Sequence, residues 1–86
     1  MIKITIQLCI IIFSIQTVIA QVGIGTSNPD ESSILDVYST DKGLLMPRMS
    51  TAQRDAITSP SEGLMIYNTS TNFLEINSGT SSIPDW

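Results

Sequence analysis

The chain has 86 residues with eight acidic and four basic side chains, which gives a formal net charge of −4 at pH 7. It has no histidine, so catalytic groups of the Ser-His-Asp or Cys-His kind and zinc sites built on histidine are excluded. Nucleic acid is not an expected partner, because phosphate neutralisation needs clustered Lys and Arg. No Gly-rich phosphate loop of the Lys-Ser or Lys-Thr type occurs, and we expect no cofactor and no metal.

Residues 1–20 have the composition of a secretory signal peptide. Lys3 supplies a positive charge, Leu8–Phe13 is uninterruptedly apolar, and short side chains precede Gln21. We therefore predict cleavage between Ala20 and Gln21, export through the Sec pathway, and a secreted or cell-surface location with membrane contact only during export. The alternative is an uncleaved anchor. It is disfavoured because polar residues leave the apolar run shorter than the ~20 residues that a membrane span needs.

Residues 21–86 are predicted to form a small, mainly β module. Four short apolar segments have the length of strands, and stretches rich in Gly, Pro, Ser, Thr, Asn and Asp separate them. The last two segments flank the turn-forming residues 68–72 and are predicted to pair as a β-hairpin. The predicted strands are Ile34–Tyr38, Leu44–Met46, Leu64–Tyr67 and Phe73–Ile76.

One or two short helical turns are predicted between these strands. Asn28–Glu31 has the order of a helix start: an N-cap residue, a proline at the first helical position, and then two acids. Ser50–Gln53 fits a capping box and would begin a helix that continues to about Ile57. Pro60 would then end it, because the residue before a proline disfavours helical backbone angles.

The carboxylate of Glu75 predicts how the last strand is oriented. An unpaired carboxylate belongs in water, so Leu74 and Ile76 should point inward. Phe73 should then share the outer face with Glu75.

Two of the predicted strands, Leu44–Met46 and Leu64–Tyr67, are apolar at every position, as in strands that are covered on both faces. A module this short, with no cysteine after Cys9 and hence no disulfide, cannot cover both faces of two strands alone. We therefore expect a homo-oligomer. The candidate contact residues are Leu44, Leu45, Met46, Arg48, Arg54, Met65, Tyr67 and Phe73.

Several polar patterns have more than one interpretation. Arg48 and Arg54 either contact an anion or partner, or form ion pairs. Ion pairing is favoured, with Asp55, Glu62 or a neighbouring chain's carboxylate as partner. Residues 68–70 match a glycosylation sequon, but a simple turn is favoured.

Two patterns near the start of the module have a chemical and a structural interpretation. Gly23–Asn28 resembles the beginning of a dinucleotide-binding fingerprint but lacks its third glycine, so a turn or tight backbone packing is favoured. Asp30 and Glu31 are adjacent carboxylates without a second set of spaced oxygen ligands. Stabilisation of a helix start is therefore favoured over acid–base chemistry or calcium binding.

A family resemblance covers nearly all of residues 21–86. Val22–Thr26, Asn28-Pro29 and Leu35–Val37 resemble the VGIGT-x-NP…LDV module of secreted Bacteroidetes proteins, flavobacterial ones especially, and of phage tail-fibre-like proteins. The segments that usually follow this module resemble Gly43–Met49, Ala52–Ile57 and Glu62–Asn68.

The resemblance implies a β-rich fibre or stalk module, often trimeric, at the N-terminus of longer adhesin-like proteins, and it implies no catalytic residues. We expect an exported, non-enzymatic structural or adhesion-type module that assembles with copies of itself. A surface glycan or protein ligand would meet Phe73 or Trp86, although aromatic packing against a partner chain is favoured. The alternatives are a truncated N-terminal leader module of a larger secreted protein or enzyme, inert alone, and a small hydrolase that uses carboxylates only.

Overall fold

The computed structural model describes residues 20–86, which form two compact units, the first ending at Asp41 and the second comprising Lys42–Trp86. The described residues contain five short strands in two sheets and one short helix, which confirms the predicted mainly β fold class. No helix in this part of the chain is both long and apolar enough to cross a membrane. Apart from the exposed Ala20, the predicted signal peptide lies outside the described residues, so its cleavage stays a prediction.

The first unit is built on a two-stranded parallel sheet. Strand β1 is Val22–Ile24 and strand β2 is Leu35–Val37, paired in register from their first residues. The side chain of Gln21 ties the start of β1 to the segment before β2, because its amide donates a hydrogen bond to the carbonyl oxygen of Ser33 at 2.9 Å.

The predicted helical turn at Asn28–Glu31 is wrong, because this segment is not helical and leads into a β-turn over Asp30–Ser33. The backbone N–H of Ser33 donates to the carbonyl oxygen of Asp30 at 3.0 Å. The Asp30 carboxylate accepts hydrogen bonds from the backbone N–H of Ser32 at 2.9 Å and from its hydroxyl at 2.6 Å. An aspartate that bonds to nearby backbone in this way offers the chain an alternative to the helix.

Gly25 follows β1, at a position where the structure has no room for a side chain. Its φ is +77°, and a Cβ at this position would overlap the carbonyl oxygen of Tyr38. Only glycine combines this backbone conformation with such a close approach at little cost. The expectation that the glycines of residues 23–28 serve tight backbone packing is confirmed at Gly25.

The second unit contains a three-stranded sheet in the order β3–β4–β5. The strands are Arg48–Met49, Met65–Asn68 and Phe73–Ile76; β3 pairs parallel to β4, and β4 pairs antiparallel to β5. The predicted hairpin is confirmed. Its turn is closed by the N–H of Asn72, which donates to the carbonyl oxygen of Asn68 at 2.8 Å with a φ of 62° at Asn72.

The strand predicted at Leu44–Met46 is wrong, because pairing begins only at Arg48. Pro47 stands between the two and has no N–H to donate, which favours a strand that starts after it. The carbonyl oxygen of Pro47 still accepts a hydrogen bond from the N–H of Tyr67 at 2.9 Å. Leu44–Met46 therefore lead into the sheet without belonging to it.

Helix α1, Thr51–Asp55, connects β3 to β4 and starts with the predicted capping box. The Ser50 hydroxyl accepts from the N–H of Gln53 at 3.2 Å, and the Gln53 side-chain oxygen accepts from the N–H of Ser50 at 2.9 Å. The helix ends at Asp55, two residues before the predicted end at Ile57. Its last turn is tightened by the N–H of Ile57, which donates to the carbonyl oxygen of Arg54 at 3.0 Å.

The core of the described residues is very small. Ile66 is the one buried large apolar side chain among them, at 2% exposure, and it is accompanied by the fully buried Asn68 and Asn77. Met65 and Tyr67, on either side of Ile66, are only half-buried. A single protomer therefore leaves most of its apolar side chains in contact with water.

Candidate functional site

The sheet of the second unit has two faces of different character. Residues that pair directly across an antiparallel ladder lie on the same face, and neighbours along a strand alternate. Met65 pairs with Ile76, and Tyr67 pairs with Leu74, so these four side chains share one face. The opposite face carries Ile66 and its ladder partner, and it is the face that contacts helix α1.

Glu75 points toward helix α1, so the predicted orientation of β5 is wrong. The Glu75 side chain is 15% exposed, and both of its carboxylate oxygens accept from the guanidinium of Arg54 at 3.1 Å. A carboxylate that has such a partner does not need to face bulk water. Leu74 and Ile76 consequently lie on the face opposite α1 and are largely exposed.

Asn68 links the hairpin to the helix in the second unit. Its amide nitrogen donates to the Thr51 hydroxyl at 2.9 Å and to Glu75 at 2.7 Å. Its amide oxygen accepts from the N–H groups of Ser70 at 2.8 Å and Thr71 at 3.3 Å. Asn68 ends β4 and its carbonyl oxygen closes the predicted turn, but its burial could not be foreseen from the turn pattern.

Asn77 is a second buried amide that sequence reasoning missed. Its nitrogen donates to the carbonyl oxygen of Pro60 at 3.0 Å, and its oxygen accepts from the N–H groups of Gly79 at 3.0 Å and Asp85 at 2.9 Å. It thereby fastens the segment after β5 to the loop before β4. The available signal was an asparagine two residues before a glycine, a pattern that favours a side-chain-closed turn.

The guanidinium group of Arg54 finds its ion-pair partners within its own protomer. Its guanidinium contacts Asp55 at 2.8 Å as well as Glu75, and it lies 5.5 Å from the centre of the Trp86 ring. The hydrogen bond to Asp55 is the largest cause that raises the pKa of Arg54, with Glu75 adding to it against desolvation. The favoured ion pair with Asp55 is therefore present, while the pair with Glu75 was not foreseen.

An open pocket of about 370 Å³ borders this cluster on the helix side. Its lining includes two carboxylates, those of Asp55 and Asp85, together with the Trp86 ring. No group of three or more acidic, histidine or cysteine side chains within residues 20–86 could hold a metal ion. The ring of Trp86, one of the two aromatic side chains considered for sugar stacking, contacts Arg54 of its own chain.

The face opposite α1 forms an open apolar groove of about 430 Å³. Its lining is apolar apart from the tyrosine hydroxyl, and three of its members precede β3 while three come from the hairpin. This surface is called the groove face below; it consists of Leu44, Leu45, Met46, Met65, Tyr67 and Leu74.

Arg48 stands at the border of the groove face. It is the ladder partner of Tyr67, which places its side chain on the groove side of the sheet. Arg48 is exposed, and among the residues that the structure describes it forms no ion pair. The groove face thus combines a neutral apolar surface with one cationic neighbour.

Most of the predicted contact residues come together at this surface. Five of them line the groove, and Arg48 lies beside it. Arg54 and Phe73 lie on the helix side, where Arg54 is internally paired and Phe73 is exposed. Leu74 completes the lining and was missed because the sequence analysis assigned it to the interior.

The comparisons with known proteins give one match. A family model described as a phage tail like trimerisation region matches residues 23–86, from the second residue of β1 to the end of the second unit. No curated protein and no solved structure matches the chain. Because the match covers well over half of the chain, the resemblance to phage tail-fibre-like modules is confirmed at the level of the family. The chain belongs to the phage tail like trimerisation region family.

Proposed function

We propose that this chain is an exported, non-enzymatic structural module of a fibre-like protein that assembles as a homotrimer through its groove face. The observation that carries the proposal is the contrast between the two faces of one sheet. On the helix side Ile66 is buried, whereas on the other side the groove face remains open to solvent. Membership of a trimerisation family supports three copies as the assembled state.

The physical reason is the lack of a sufficient core in one copy. Burying a large aliphatic side chain contributes about 1.5–3 kcal/mol, and this contribution must offset the loss of backbone and side-chain entropy at every ordered residue. The second unit buries one such side chain, and no disulfide assists it because the sequence has no cysteine after Cys9. Burial of the groove face by neighbouring copies would supply the stabilisation that the small core lacks.

Arg48 gives the groove face a preference for its partner surface. The described residues carry eight carboxylates against three basic side chains, so the surface of a neighbouring copy is predominantly acidic. An apolar patch bordered by a cation fits such a surface through apolar burial at its centre and charge attraction at its rim. A structural role without catalysis is in keeping with this, because the paired carboxylate Glu75 is engaged in holding α1.

The proposed location outside the cell rests on the composition of residues 1–20, with a positive charge followed by an apolar stretch and short side chains before Gln21. A fibre module has its partners and its task outside the cytoplasm, so the location and the structural role support each other.

Sedimentation equilibrium of the full chain, as it is recovered from the producing cells, tests the assembly. We expect a mass three times that of one protomer at micromolar concentration, with dissociation on dilution accompanied by loss of β-structure in circular dichroism. A folded monomer at micromolar concentration would refute the proposal, and so would a stable dimer.

A further inference from the structure

The sheet of the first unit has one face made only of aliphatic side chains. In a parallel ladder, register partners lie on the same side of the sheet. Val22 pairs with Leu35, and Ile24 pairs with Val37, so these four side chains form one surface. All four are exposed, Ile24 the most at 57%. This surface is called the aliphatic face below; it consists of Val22, Ile24, Leu35 and Val37.

The other side of the same sheet is occupied by its own connecting loop. A Cβ at Gly23 would meet the carbonyl oxygen of Thr26 at 2.6 Å and the ring of Pro29 at 2.7 Å. Beside Gly23, the carboxylate of Asp36 accepts a hydrogen bond from the N–H of Asp30 at 2.9 Å. The loop therefore covers one side of the sheet, while residues 20–41 leave the aliphatic face uncovered.

Residues 20–41 place no charged side chain on the aliphatic face. Between residues 20 and 41 there are four carboxylates and no basic side chain. Asp36 is on the opposite side of the sheet, Asp30 and Glu31 belong to the connecting loop, and Asp41 follows β2 by four residues. This acidic stretch thus presents one surface whose four side chains are all uncharged.

A two-stranded sheet is at best marginally stable without a further layer, so the aliphatic face needs an apolar cover. The charge of a surface determines whether it can pack against the same surface of another copy. Identical surfaces that meet at a rotation axis bring identical charges together, and this costs free energy when the charges lose water. The groove face, with Arg48 at its border, would bring three guanidinium groups to such an axis, whereas the aliphatic face brings none.

We propose that the aliphatic face packs against the same face of two other copies around the threefold axis of the trimer. The groove face then contacts a different, acidic surface of a neighbouring copy, as the head-to-tail interfaces of a cyclic trimer require. This assignment rests on the proposed function for the number of copies. It adds which surface lies at the axis, which neither the groove nor the family match specifies.

Cross-linking through single cysteines tests the assignment, in the full chain with Cys9→Ser as background. Four variants place one thiol on the aliphatic face: Val22→Cys, Ile24→Cys, Leu35→Cys and Val37→Cys. The matched control is Ile34→Cys, which directly precedes β2, does not belong to the aliphatic face and is 74% exposed. Each sample is treated with a short bismaleimide and is also sedimented without the reagent.

We expect dimer-sized products from the aliphatic face, with at most two of every three chains linked because each chain carries one thiol. The control should remain at protomer mass. If samples that sediment as trimers give no product from any of the four positions, or as much from Ile34→Cys, the assignment is overturned while the proposed trimer stands. If the unlinked samples sediment as folded monomers, the assignment and the proposed function both fail.

Discussion

Arg54 and Glu75 are 21 residues apart in the sequence, and their side chains form the ion pair that holds helix α1 against strand β5. Each side chain is 15% exposed, so both charges are largely removed from water. Asn68 donates a third hydrogen bond to the same carboxylate. Each carboxylate oxygen of Glu75 therefore has a hydrogen-bond donor within the protomer. The pair sets the orientation of the hairpin, and with it the set of side chains that face the groove.

Removing one partner of this pair should destabilise the fold. Glu75→Gln leaves Asp55 as the one carboxylate paired with Arg54 among the described residues, and we expect a loss of about 2 kcal/mol in the free energy of unfolding. Urea denaturation at one fixed protomer concentration measures the loss. Glu62→Gln, at an exposed position, is the matched control and should change stability by less than about 0.5 kcal/mol. Equal effects of the two substitutions would contradict the assigned role of Glu75.

A charge placed in the groove face should dissociate the trimer. Leu45 is 69% exposed in one protomer, so Leu45→Asp removes little packing within the protomer, and we expect it to cost about 2 kcal/mol or more per copy on assembly. Ile83→Asp makes the same kind of change at a 76% exposed position outside the groove. Sedimentation at a series of concentrations should show weaker assembly for Leu45→Asp alone. Unchanged assembly of this variant would remove the groove face from the interface.

Gly25 should not accept a side chain. In Gly25→Ala the new Cβ would have a positive φ and would overlap the carbonyl oxygen of Tyr38, which we expect to cost about 2 kcal/mol or more. Gly43→Ala is the control, because no atom lies within 4 Å of a Cβ at that position. It should be neutral or slightly stabilising through the unfolded chain. Thermal unfolding followed by circular dichroism distinguishes the two, and equal melting temperatures would contradict the close approach at Gly25.

The turn at Asp30 predicts a local pH dependence. The side-chain hydrogen bond from Ser32, followed by the one from its backbone N–H, lowers the pKa of Asp30 below its ordinary value of 3.8. A lowered pKa in the folded state means that the ionised carboxylate stabilises the turn above pH ~3.9, and that this contribution is lost as the pH falls through the lowered pKa. Carboxyl-carbon NMR titration should show the pKa rising toward 3.8 in Ser32→Ala. Ser27→Ala removes a hydroxyl from the same loop and should leave the titration of Asp30 unchanged.

Export makes a prediction about the N-terminus of the recovered protein. Mass spectrometry of the extracellular or cell-surface fraction should find a chain that begins at Gln21, since the short side chains up to Ala20 match the requirement of a signal peptidase. Ala20→Leu, which introduces a bulky side chain next to the cleaved bond, should reduce processing, while Ile12→Leu within the apolar stretch should not. A chain with Met1 intact in the membrane fraction would contradict the proposed export of a cleaved product.

The elements that sequence reasoning predicted well depend on neighbours in the chain. The capping box joins Ser50 and Gln53, which are three positions apart, and the hairpin turn needs only the residues between β4 and β5. The apolar strands Met65–Asn68 and Phe73–Ile76 were recognisable from their composition, with limits shifted by one residue at β4. Short-range hydrogen bonds and backbone preferences decide such elements, so the sequence alone determined them.

The wrong or missing predictions concern residues whose hydrogen-bond partners are distant in the sequence, or whose local sequence fits more than one structure. Glu75 was assigned to water as an unpaired carboxylate, but Arg54, which lies 21 residues earlier on helix α1, forms an ion pair with it. Asn68 was expected only as a turn residue, and no role was predicted for Asn77. Each is fully buried, because several backbone and side-chain groups converge on its amide. The sequence around Asp30 is compatible with both a helix start and a turn. The structure contains the turn, in which the Asp30 carboxylate accepts a hydrogen bond from nearby backbone.

The sequence by itself determined the class of the module, its strand composition and its need for cover from other copies, because these follow from length, cysteine content and apolar pattern. Only the tertiary structure decided which surfaces remain uncovered. The orientation of β5 depends on where a carboxylate finds its guanidinium, and that orientation places Leu74 beside Tyr67 in the groove. Hydrogen-bond partners that are far apart in the chain meet only after folding, so no local pattern could have identified the groove face or the aliphatic face as complete surfaces.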